Sequence, residues 1–346
     1  MLALGDEPST VGISSRAKAL ADKSEGQGKT MKKALITGIT GFAGSFLAEN
    51  LVNNGFQVSG TYLSDDSLKN LSKNDNYSLY KINLLDEDKV LKFIASENPD
   101  YIFHLAALTS PKNSFDNPKE TFINNVSAQL NLLEAIKKNN LSEVRILIVS
   151  SAEVYGLVSA KDLPIDEDTS FNPANPYAVS KLAQDFLGLQ YFHSYKLKIV
   201  RVRPFNHIGP RQSPDFVVSG FAKRIAEIEK GKQTVIKIGN ISSKRDFTDV
   251  KDMVEAYRLV LEKGKEGEVY NLGSGRSWEI SEILGKLIKI SKSEIKTEED
   301  PNLLRPSDNP ELVCDYSKFE ELTGWKPQIP IEKSLVDTLN YWRNII

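Results

Sequence analysis

The sequence predicts an α/β fold in which a doubly wound parallel sheet is joined to a smaller C-terminal α/β lobe. Three observations lead to this prediction: short apolar runs alternate with amphipathic segments as far as Pro204, a glycine-rich turn follows the first run, and the pattern changes after Pro204. Strands that alternate with helices form a parallel sheet covered by helices on both faces. Because such a sheet binds ligands beyond the carboxyl ends of its strands, we expect the functional residues just after strands.

Six short, β-prone apolar runs precede or reach Pro204 and predict the strands of the sheet. They are Lys33–Thr37, Gln57–Tyr62, Tyr77–Lys81, Tyr101–Leu105, Arg145–Ser150 and Lys198–Arg203. Between them, Glu120–Lys138 and Pro176–Tyr191 carry apolar residues at helical spacing. Beyond Pro204 the chain mixes a helical pattern at Val217–Lys230, a short strand at Val235–Ile238 and proline-rich loops, so we expect a smaller substrate-side lobe there.

Three stretches of the chain are expected to differ in role. Residues 1–30 are rich in Gly, Ser, Ala and Lys and lack the apolar core of a signal peptide, so we interpret them as a flexible extension or a cloning remnant outside the fold. Residues 31–204 are expected to form mainly the dinucleotide-binding domain, and residues 205–346 mainly the substrate lobe, with crossings of the chain between the two allowed.

Composition limits the classes of partner. The chain has 346 residues, of which 40% are hydrophobic and 26% charged, as in ordinary globular proteins. A formal net charge of -2 argues against nucleic acid as a partner, and no apolar stretch is long enough to span a membrane. The single cysteine, Cys314, excludes an intrachain disulfide and fits a reducing compartment. We therefore expect a cytoplasmic protein that binds small molecules, and we predict no metal site.

The turn after the first strand, "TGITGFAG", predicts a phosphate-binding site. Gly38 permits the tight turn, Gly41 lets the backbone approach a pyrophosphate, and Gly44 lets the following helix pack close to the sheet. Phe42 and Ala43 then begin that helix, whose free amide groups and dipole favour an anion. Three glycines at this spacing also fit a plain turn that needs positive φ, but the strand before and the helix after favour a dinucleotide site of the Rossmann type.

The ends of the second and third strands are expected to face the adenosine half of the cofactor. The second strand ends at Tyr62 with neither the acidic residue typical of NAD sites nor a basic one typical of NADP sites. Asp65 and Asp66 follow as ribose ligands or, more simply, as a solvated turn. Asn83 and Leu84 end the third strand, where an adenine edge would be bound and covered. The sequence therefore predicts NADPH or NADH without deciding between them.

The segment after the fourth strand, "IFHLAALTS", combines small residues with hydroxyl groups. Ala106 and Ala107 allow a close approach to a cofactor, and Thr109 and Ser110 offer hydroxyls to a substrate. We interpret His104 as a packed strand-end residue and assign it no chemistry.

Residues after the fifth strand are expected to carry the reaction. Ser151 ends "VSS", while "NPYAVSK" places Tyr177 and Lys181 four residues apart on one face of a helix. A tyrosine with its usual pKa near 10 is a poor acid at neutral pH, but a neighbouring ammonium stabilises the phenolate. A serine hydroxyl holds the oxygen that exchanges the proton. Each feature occurs by chance elsewhere, but together and in this order they predict a hydride-transfer site.

Five motifs together resemble the extended short-chain dehydrogenases/reductases that act on nucleotide sugars. They are "TGITGFAG", "HLAA", "SSAEVYG", "PYAVSK" and "RPFNHIGP", and the resemblance extends from Met31 to the C-terminus. It implies that Ser151, Tyr177 and Lys181 are catalytic and that Tyr177 and Lys181 also contact the cofactor. Longer stretches, such as "RPFNHIGPRQSPDFVVSGF" and "RDFTDVKDMVEAY", resemble the branch that reduces the 4-keto group of GDP-4-dehydro-6-deoxy-D-mannose to GDP-D-rhamnose.

Two alternatives to a reductase remain open. In dehydratases of the dTDP-glucose type an acidic pair follows the catalytic hydroxyl, whereas this chain has Ala152 and Glu153. GDP-mannose 4,6-dehydratases resemble this chain in keeping only the glutamate, so Glu153 is either a catalytic candidate of a dehydratase or 4-epimerase or a structural carboxylate. The other alternative is a dinucleotide sensor without activity, which the pair of Tyr177 and Lys181 makes less favourable.

A GDP-linked deoxy-keto sugar needs cationic groups for its diphosphate, and arginine binds phosphate in a bidentate way. Arg211, Arg245 and Arg305 lie in predicted loops of the second lobe as phosphate ligands or surface ion-pair partners, and the resemblance favours Arg245 and Arg305. Asn206 is either a substrate ligand or a loop cap. Asn125, in "INNV", is expected to brace the site. The resemblance also implies a homodimer formed through the helices with "INNV" and "PYAVSK".

Overall fold

The computed structural model describes residues 31–71, 77–303 and 309–346. The predictions made for residues 1–30 and for Arg305 fall outside these ranges.

Within the described ranges, the strands and helices follow one another along the chain as predicted for an α/β protein. The strands are β1 (Lys33–Thr37), β2 (Gln57–Tyr62), β3 (Tyr77–Lys81), β4 (Tyr101–His104), β5 (Arg145–Val149), β6 (Lys198–Pro204), β7 (Asn206–Ile208), β8 (Val235–Ile238), β9 (Lys244–Asp249), β10 (Val269–Leu272), β11 (Ser277–Glu279), β12 (Lys296–Glu299) and β13 (Glu311–Leu312). The α-helices are α1 (Phe42–Asn53), α2 (Glu87–Glu97), α3 (Pro111–Asp116), α4 (Pro118–Lys138), α5 (Pro176–Tyr195), α6 (Val217–Glu229), α7 (Val250–Lys263), α8 (Ile280–Lys289), α9 (Ser317–Thr323) and α10 (Ile331–Ile345). Short 3-10 helices lie at Asp65–Asn70, Ala152–Val154, Ala160–Asp162 and Pro301–Leu303.

The main sheet confirms the predicted fold class. Among the described residues it has seven parallel strands in the order β3-β2-β1-β4-β5-β6-β10. The first three predicted strands match the observed ones at both ends, whereas β4 and β5 end one residue earlier than expected and β6 ends one residue later. Crossovers that run outward in both directions from β1 produce this doubly wound order.

Helices cover both faces of the main sheet because each buries one apolar stripe. On one face α1 packs beside α7, with Leu47 and Leu51 fully buried next to Met253. On the other face α2, α4 and α5 lie side by side over a second core that includes Leu132 and Ile136. Each fully buried leucine contributes about 2 kcal/mol to the free energy of unfolding through lost water contact.

The seventh strand was not predicted. β10 comes after most of the lobe in the sequence, yet it pairs with β6 in the main sheet, with Val269 opposite Arg201. Its four residues, Val-Tyr-Asn-Leu, are all buried and include the polar Asn271, so they show neither alternation nor a long apolar run. The chain therefore crosses from the lobe back to the sheet.

The smaller lobe lies beside the carboxyl ends of the main strands. β7, β9, β11 and β13 form one small sheet, and β8 pairs with β12 in another. Helices α6, α8 and α10 share an apolar core with these strands, in which Phe221, Leu284 and Leu335 are buried. No helix in the described part of the chain is long and apolar enough to cross a membrane.

Candidate active site

One cleft of about 950 Å³ is lined by residues that follow β1 to β6 and by residues of the lobe. It is therefore at the edge of the sheet where the topology predicts ligands.

The glycine turn forms one wall of this cleft. Gly38 has a φ of +73°, in the left-handed region that favours glycine. A Cβ atom on Gly44 would lie 2.3 Å from the Gly38 carbonyl oxygen, so the helix approaches the turn closely only because the side chain is absent. Gly41 precedes α1 without a side-chain cap, and the first turn of the helix has no acidic residue. The amide groups of Phe42 and Ala43 thus remain suited to a pyrophosphate, and the turn fits a bound dinucleotide.

The three residues predicted to face adenosine lie together in the cleft. Tyr62, Asn83 and Leu84 line it, and the Asn83 side-chain oxygen accepts a hydrogen bond from the Leu85 amide at 3.0 Å. Asp65 instead forms an exposed ion pair with Lys81, 2.6 Å apart. This position favours the solvated turn over the ribose ligand.

Some residues of the segment around the end of β4 line the cleft, and others have structural roles beside it. Ala106, Ala107 and Thr109 line the cleft. The Ser110 hydroxyl accepts a hydrogen bond from the Asn113 amide at 3.2 Å and caps α3, and Ser110 is not among the lining residues of the described chain. His104 is buried beside Thr37, and burial lowers its pKa to about 3, so the imidazole stays neutral.

Ser151, Tyr177 and Lys181 are brought together in the same cleft. The N-cap Asn175 accepts a hydrogen bond from the Ala178 amide at 2.8 Å and fixes the start of α5, which carries Tyr177 and Lys181. The Ser151 hydroxyl is close enough to the Tyr177 phenol to act against the rise in its pKa. The three candidate catalytic groups therefore line the same cleft as the glycine turn.

Burial dominates the acid–base properties of this group. Desolvation raises the pKa of Tyr177, the nearby Ser151 hydroxyl opposes that rise, and the negative charge of Glu153 adds to it. Burial also lowers the pKa of Lys181 to about 7, against the opposing charge of Asp185. Near neutral pH, Tyr177 is therefore a protonated phenol and a potential proton donor.

Glu153 also lines the cleft. Its carboxylate accepts a hydrogen bond from the Asn175 side-chain nitrogen at 3.0 Å, and the preceding residue, Ala152, is buried. The contact with Asn175 is what a structural carboxylate would make, although the side chain remains within the site.

The two described arginines named above occupy different surroundings. Arg245 is buried at the cleft and donates to the Asn309 carbonyl oxygen at 2.8 Å. Arg211 lies 2.7 Å from the Glu49 carboxylate and donates to the Ser45 hydroxyl at 3.2 Å. Arg211 is not among the described lining residues, so its position favours the ion-pair partner over the phosphate ligand.

Other polar residues complete the lobe side. Asn206 lines the cleft, as expected for a residue that follows β6. Arg224 and Lys237 line it too and were not predicted. The Arg224 guanidinium donates to the Lys237 carbonyl oxygen at 2.7 Å, so these two cations come from α6 and β8 placed side by side. No signal in the sequence showed that this helix and this strand are neighbours.

Asn125 braces the site from α4. Its side-chain oxygen accepts from the Leu108 amide at 2.7 Å, and its side-chain nitrogen donates to the Ser180 hydroxyl at 2.9 Å. One asparagine thus joins the segment after β4 to the helix that carries Tyr177 and Lys181.

Comparison with known proteins now identifies the family. The sequence profile described as GDP-mannose 4,6 dehydratase matches residues 35–338. The chain belongs to the GDP-mannose 4,6-dehydratase family. This membership confirms the predicted relation to the extended short-chain dehydrogenases/reductases of nucleotide sugars.

Members of the family and its structural neighbours differ in reaction. The chain is 37% identical to the GDP-6-deoxy-D-mannose reductase of Pseudomonas aeruginosa over 266 residues, which are 77% of this chain and 87% of that protein. It is 30% identical to the GDP-mannose 4,6-dehydratase of Yersinia enterocolitica over 344 residues, which cover 88% of this chain and 91% of that protein.

Solved structures share the fold over nearly the whole described chain. RMD from Pseudomonas aeruginosa, complexed with NADPH, superposes with a TM-score of 0.80 at 33% identity and covers 91% of this chain and 100% of its own. UDP-glucose 4-epimerase of Thermotoga maritima, with UDP-glucose, gives a TM-score of 0.81 at 29% identity and covers 90% of this chain and 99% of its own. Within the GDP-mannose 4,6-dehydratase family, the site residues must therefore decide the reaction.

Proposed function

We propose that this protein reduces the 4-keto group of GDP-4-dehydro-6-deoxy-D-mannose to give GDP-D-rhamnose, with NADPH or NADH as hydride donor. One observation carries the proposal: Tyr177 shares a cleft with Ser151, Lys181 and the glycine turn, while the residue after Ser151 is an alanine. The similarity to a GDP-6-deoxy-D-mannose reductase supports it.

The chemistry follows from the protonation states of the site. When bound, the reduced nicotinamide supplies a hydride to C4 of the sugar. Tyr177 donates its phenolic proton to the carbonyl oxygen as negative charge develops there, so the ketone becomes an alcohol. Ser151 orients that oxygen, and the Lys181 ammonium stabilises the phenolate that remains and holds the nicotinamide ribose. Tyr177 then regains a proton from water.

The lobe would bind the GDP part of the substrate. Arg245, Arg224 and Lys237 line the cleft as cations in a protein of slightly negative net charge, and a diphosphate is the part of the substrate that needs them. Asn206 would bind the sugar or the phosphate, and Thr109 a sugar hydroxyl. We retain Arg305 as a phosphate ligand on the strength of the family resemblance.

The proposed hydride donor is a reduced nicotinamide dinucleotide. NADPH is bound in RMD from Pseudomonas aeruginosa. In this chain Asp65 is paired with Lys81, which leaves the ribose without that carboxylate and is compatible with a 2′-phosphate. We propose NADPH or NADH, and the assay below decides between them.

The first experiment follows the reduced-nicotinamide absorbance band while the purified protein is mixed with GDP-4-dehydro-6-deoxy-D-mannose and either coenzyme. Stoichiometric oxidation of one coenzyme is the expected result, and NMR of the product then gives its configuration at C4. If the substrate binds but neither coenzyme is oxidised, the proposed reductase activity is wrong.

Glu153 supports one second candidate, a GDP-mannose 4,6-dehydratase. Its carboxylate lies in the cleft near Tyr177, where a base that removes a proton beside the keto group is needed. Such an enzyme recycles its cofactor in each turnover. It would convert GDP-mannose to the keto sugar without added reductant, which the same assay detects.

Assembly and location belong to the proposal as well. We propose a homodimer formed through α4 and α5, because exposed apolar side chains cluster on these adjacent helices. They are Phe122, Ile123, Leu130, Val179 and Phe186. We place the reaction in the cytoplasm, where reduced nicotinamide and a free buried thiol such as that of Cys314 are both maintained.

A further inference from the structure

The Lys181 ammonium is held by two acceptors beneath the cleft. Lys181 is only 4% exposed, and its Nζ atom donates to the Val149 carbonyl oxygen at 2.7 Å and to the Gln184 Oε1 atom at 2.9 Å. An ammonium has three N–H donors, so one remains for a ligand in the cleft that Lys181 lines. The two acceptors therefore determine the direction of the third donor.

Gln184 is built into this position. It is fully buried, and its backbone carbonyl oxygen accepts a hydrogen bond from the Gln129 side chain at 2.7 Å. Its Nε2 atom finds no partner among the residues that the structure describes. A buried amide nitrogen without a partner costs free energy and calls for an explanation. The contact of the same side chain with Lys181 supplies one.

Asp185, the charged residue that follows Gln184, does not serve as the hydrogen-bond acceptor of Lys181. The Asp185 carboxylate is bound by Arg201 at 2.5 Å and by Arg203 at 2.8 Å, so it acts on Lys181 only through its charge. From β4, His104 faces the ammonium as a neutral imidazole. On α5 itself, Tyr177 is also uncharged near neutral pH.

Glu153 and Tyr257 also line the cleft. The charge of Glu153 acts on Tyr177, whereas burial raises the pKa of Tyr257 and keeps that phenol uncharged near neutral pH. Gln184 is thus the side chain within hydrogen-bonding distance of Lys181 in the described part of the chain.

We propose that Gln184 is a positioning residue of the reaction, whose side-chain oxygen holds the Lys181 ammonium in the orientation that serves the nicotinamide ribose and Tyr177. The inference rests on the proposed function and adds to it a residue that does not touch the substrate or the cofactor.

A positioning role predicts in which direction each substitution of Gln184 shifts the pKa of Lys181, whereas a purely structural role predicts no such shift. Lys181 must be an ammonium in order to act, so activity falls as pH rises through its pKa of about 7. An acceptor that bonds to the charged form raises the pKa of a lysine, and a carboxylate raises it more. Gln184→Met should therefore move the alkaline limb of the pH–rate profile to lower pH. Gln184→Glu should move it to higher pH by about one unit, because a neighbouring opposite charge commonly shifts a pKa by one unit or more.

The test measures kcat for reduction and the dissociation constant of NADPH, by nucleotide fluorescence, across pH for the wild type and both variants. Gln129→Met is the matched control, since Gln129 is an equally buried glutamine that contacts the Gln184 backbone and not Lys181. We expect opposite shifts for Gln184→Met and Gln184→Glu in both measurements and an unshifted profile for Gln129→Met.

If one of the two Gln184 variants does not fold, the other still tests the direction of the shift by itself. Unshifted limbs in the folded variants, or shifts in the same direction, overturn the proposal. If the proposed reaction itself is wrong, no reduction is seen at any pH, whereas the pH dependence of NADPH binding still reports on Lys181.

Discussion

The Arg211 guanidinium lies 2.7 Å from the Glu49 carboxylate, and this ion pair ties the loop after β7 to the cofactor-side helix α1. The guanidinium also lies 4.4 Å from the centre of the Phe46 ring, on the same helix. Arg211 has a φ of +72°, a left-handed conformation that is uncommon for a residue with a side chain. The contacts of its side chain are made with the helix of the glycine turn, so the position of the loop after β7 depends on that helix.

The two described arginines should differ in their effect on GDP binding. Loss of a charged hydrogen bond costs about 1.5–3 kcal/mol, so Arg245→Gln should weaken the binding of GDP about 10- to 100-fold. Arg211→Gln should leave the affinity within about twofold, because a partly exposed ion pair contributes only about 0–1 kcal/mol. Calorimetric titration with GDP measures both, and a melting curve verifies folding. Equal losses of GDP affinity in the two variants would instead indicate that Arg211 is a phosphate ligand.

Removal of one oxygen atom should separate catalysis from binding. Tyr177→Phe keeps the ring and removes the proton donor, so kcat should fall about 10²- to 10⁴-fold with the dissociation constant of NADPH little changed. Tyr195→Phe, at the other end of the same helix and half exposed, is the matched control and should retain full activity. Wild-type turnover by Tyr177→Phe would rule out Tyr177 as the proton donor.

Glu153→Gln distinguishes the two candidate reactions. The amide removes a negative charge that raises the pKa of Tyr177, yet it can still accept a hydrogen bond from Asn175. A reductase should therefore keep its rate within a few-fold, measured as oxidation of the reduced coenzyme with the keto sugar. A dehydratase would lose conversion of GDP-mannose by about 10²-fold or more, since its base is gone.

Two helical glycines should respond to alanine in opposite directions. A Cβ atom on Gly44 would lie 2.3 Å from a backbone oxygen, so Gly44→Ala should lower the free energy of unfolding by about 1–3 kcal/mol and abolish NADPH binding. Gly285 lies in α8 with no atom within 4 Å of an added Cβ atom, so Gly285→Ala should raise the free energy of unfolding by about 0.5–1 kcal/mol. Urea unfolding measures both values. Stabilisation by Gly44→Ala would contradict the close approach.

The proposed homodimer depends on an apolar surface that a charge should disrupt. Phe186 on α5 is 47% exposed, and Phe186→Glu should convert the dimer to a monomer in light scattering at micromolar concentration. Ile345→Glu is the matched control, since Ile345 is 54% exposed on α10, away from α4 and α5. A dimer that survives Phe186→Glu would place the contact elsewhere.

Local sequence patterns were sufficient for the first strands and for the residues that follow them. Gly38, Tyr62 and Ser151 could be located because each lies at the end of a strand with a clear apolar run or within two residues after it, and parallel topology then brings such positions to one edge. Contacts between elements distant in sequence were not accessible in this way.

The cations Arg224 and Lys237 show that limit, since their nearness depends on α6 lying beside β8. Likewise, the choice between a phosphate ligand and an ion-pair partner for Arg211 could be made only once the position of Glu49 was known. Gln184 carried no signal at all, because a glutamine on a helix is ordinarily a solvated residue and here it is fully buried beneath Lys181.

The return of the chain to the main sheet has a consequence for the order in which the protein can fold. β10 spans Val269–Leu272 and α7 spans Val250–Lys263, and both complete structures begun more than two hundred residues earlier by β1 and α1. During synthesis on a ribosome, the main sheet therefore lacks its last strand and one covering helix until residues 250–272 have emerged. A chain stopped at residue 204 would leave β6 as an open edge and α1 without its partner, so the first half is not a unit that can mature on its own.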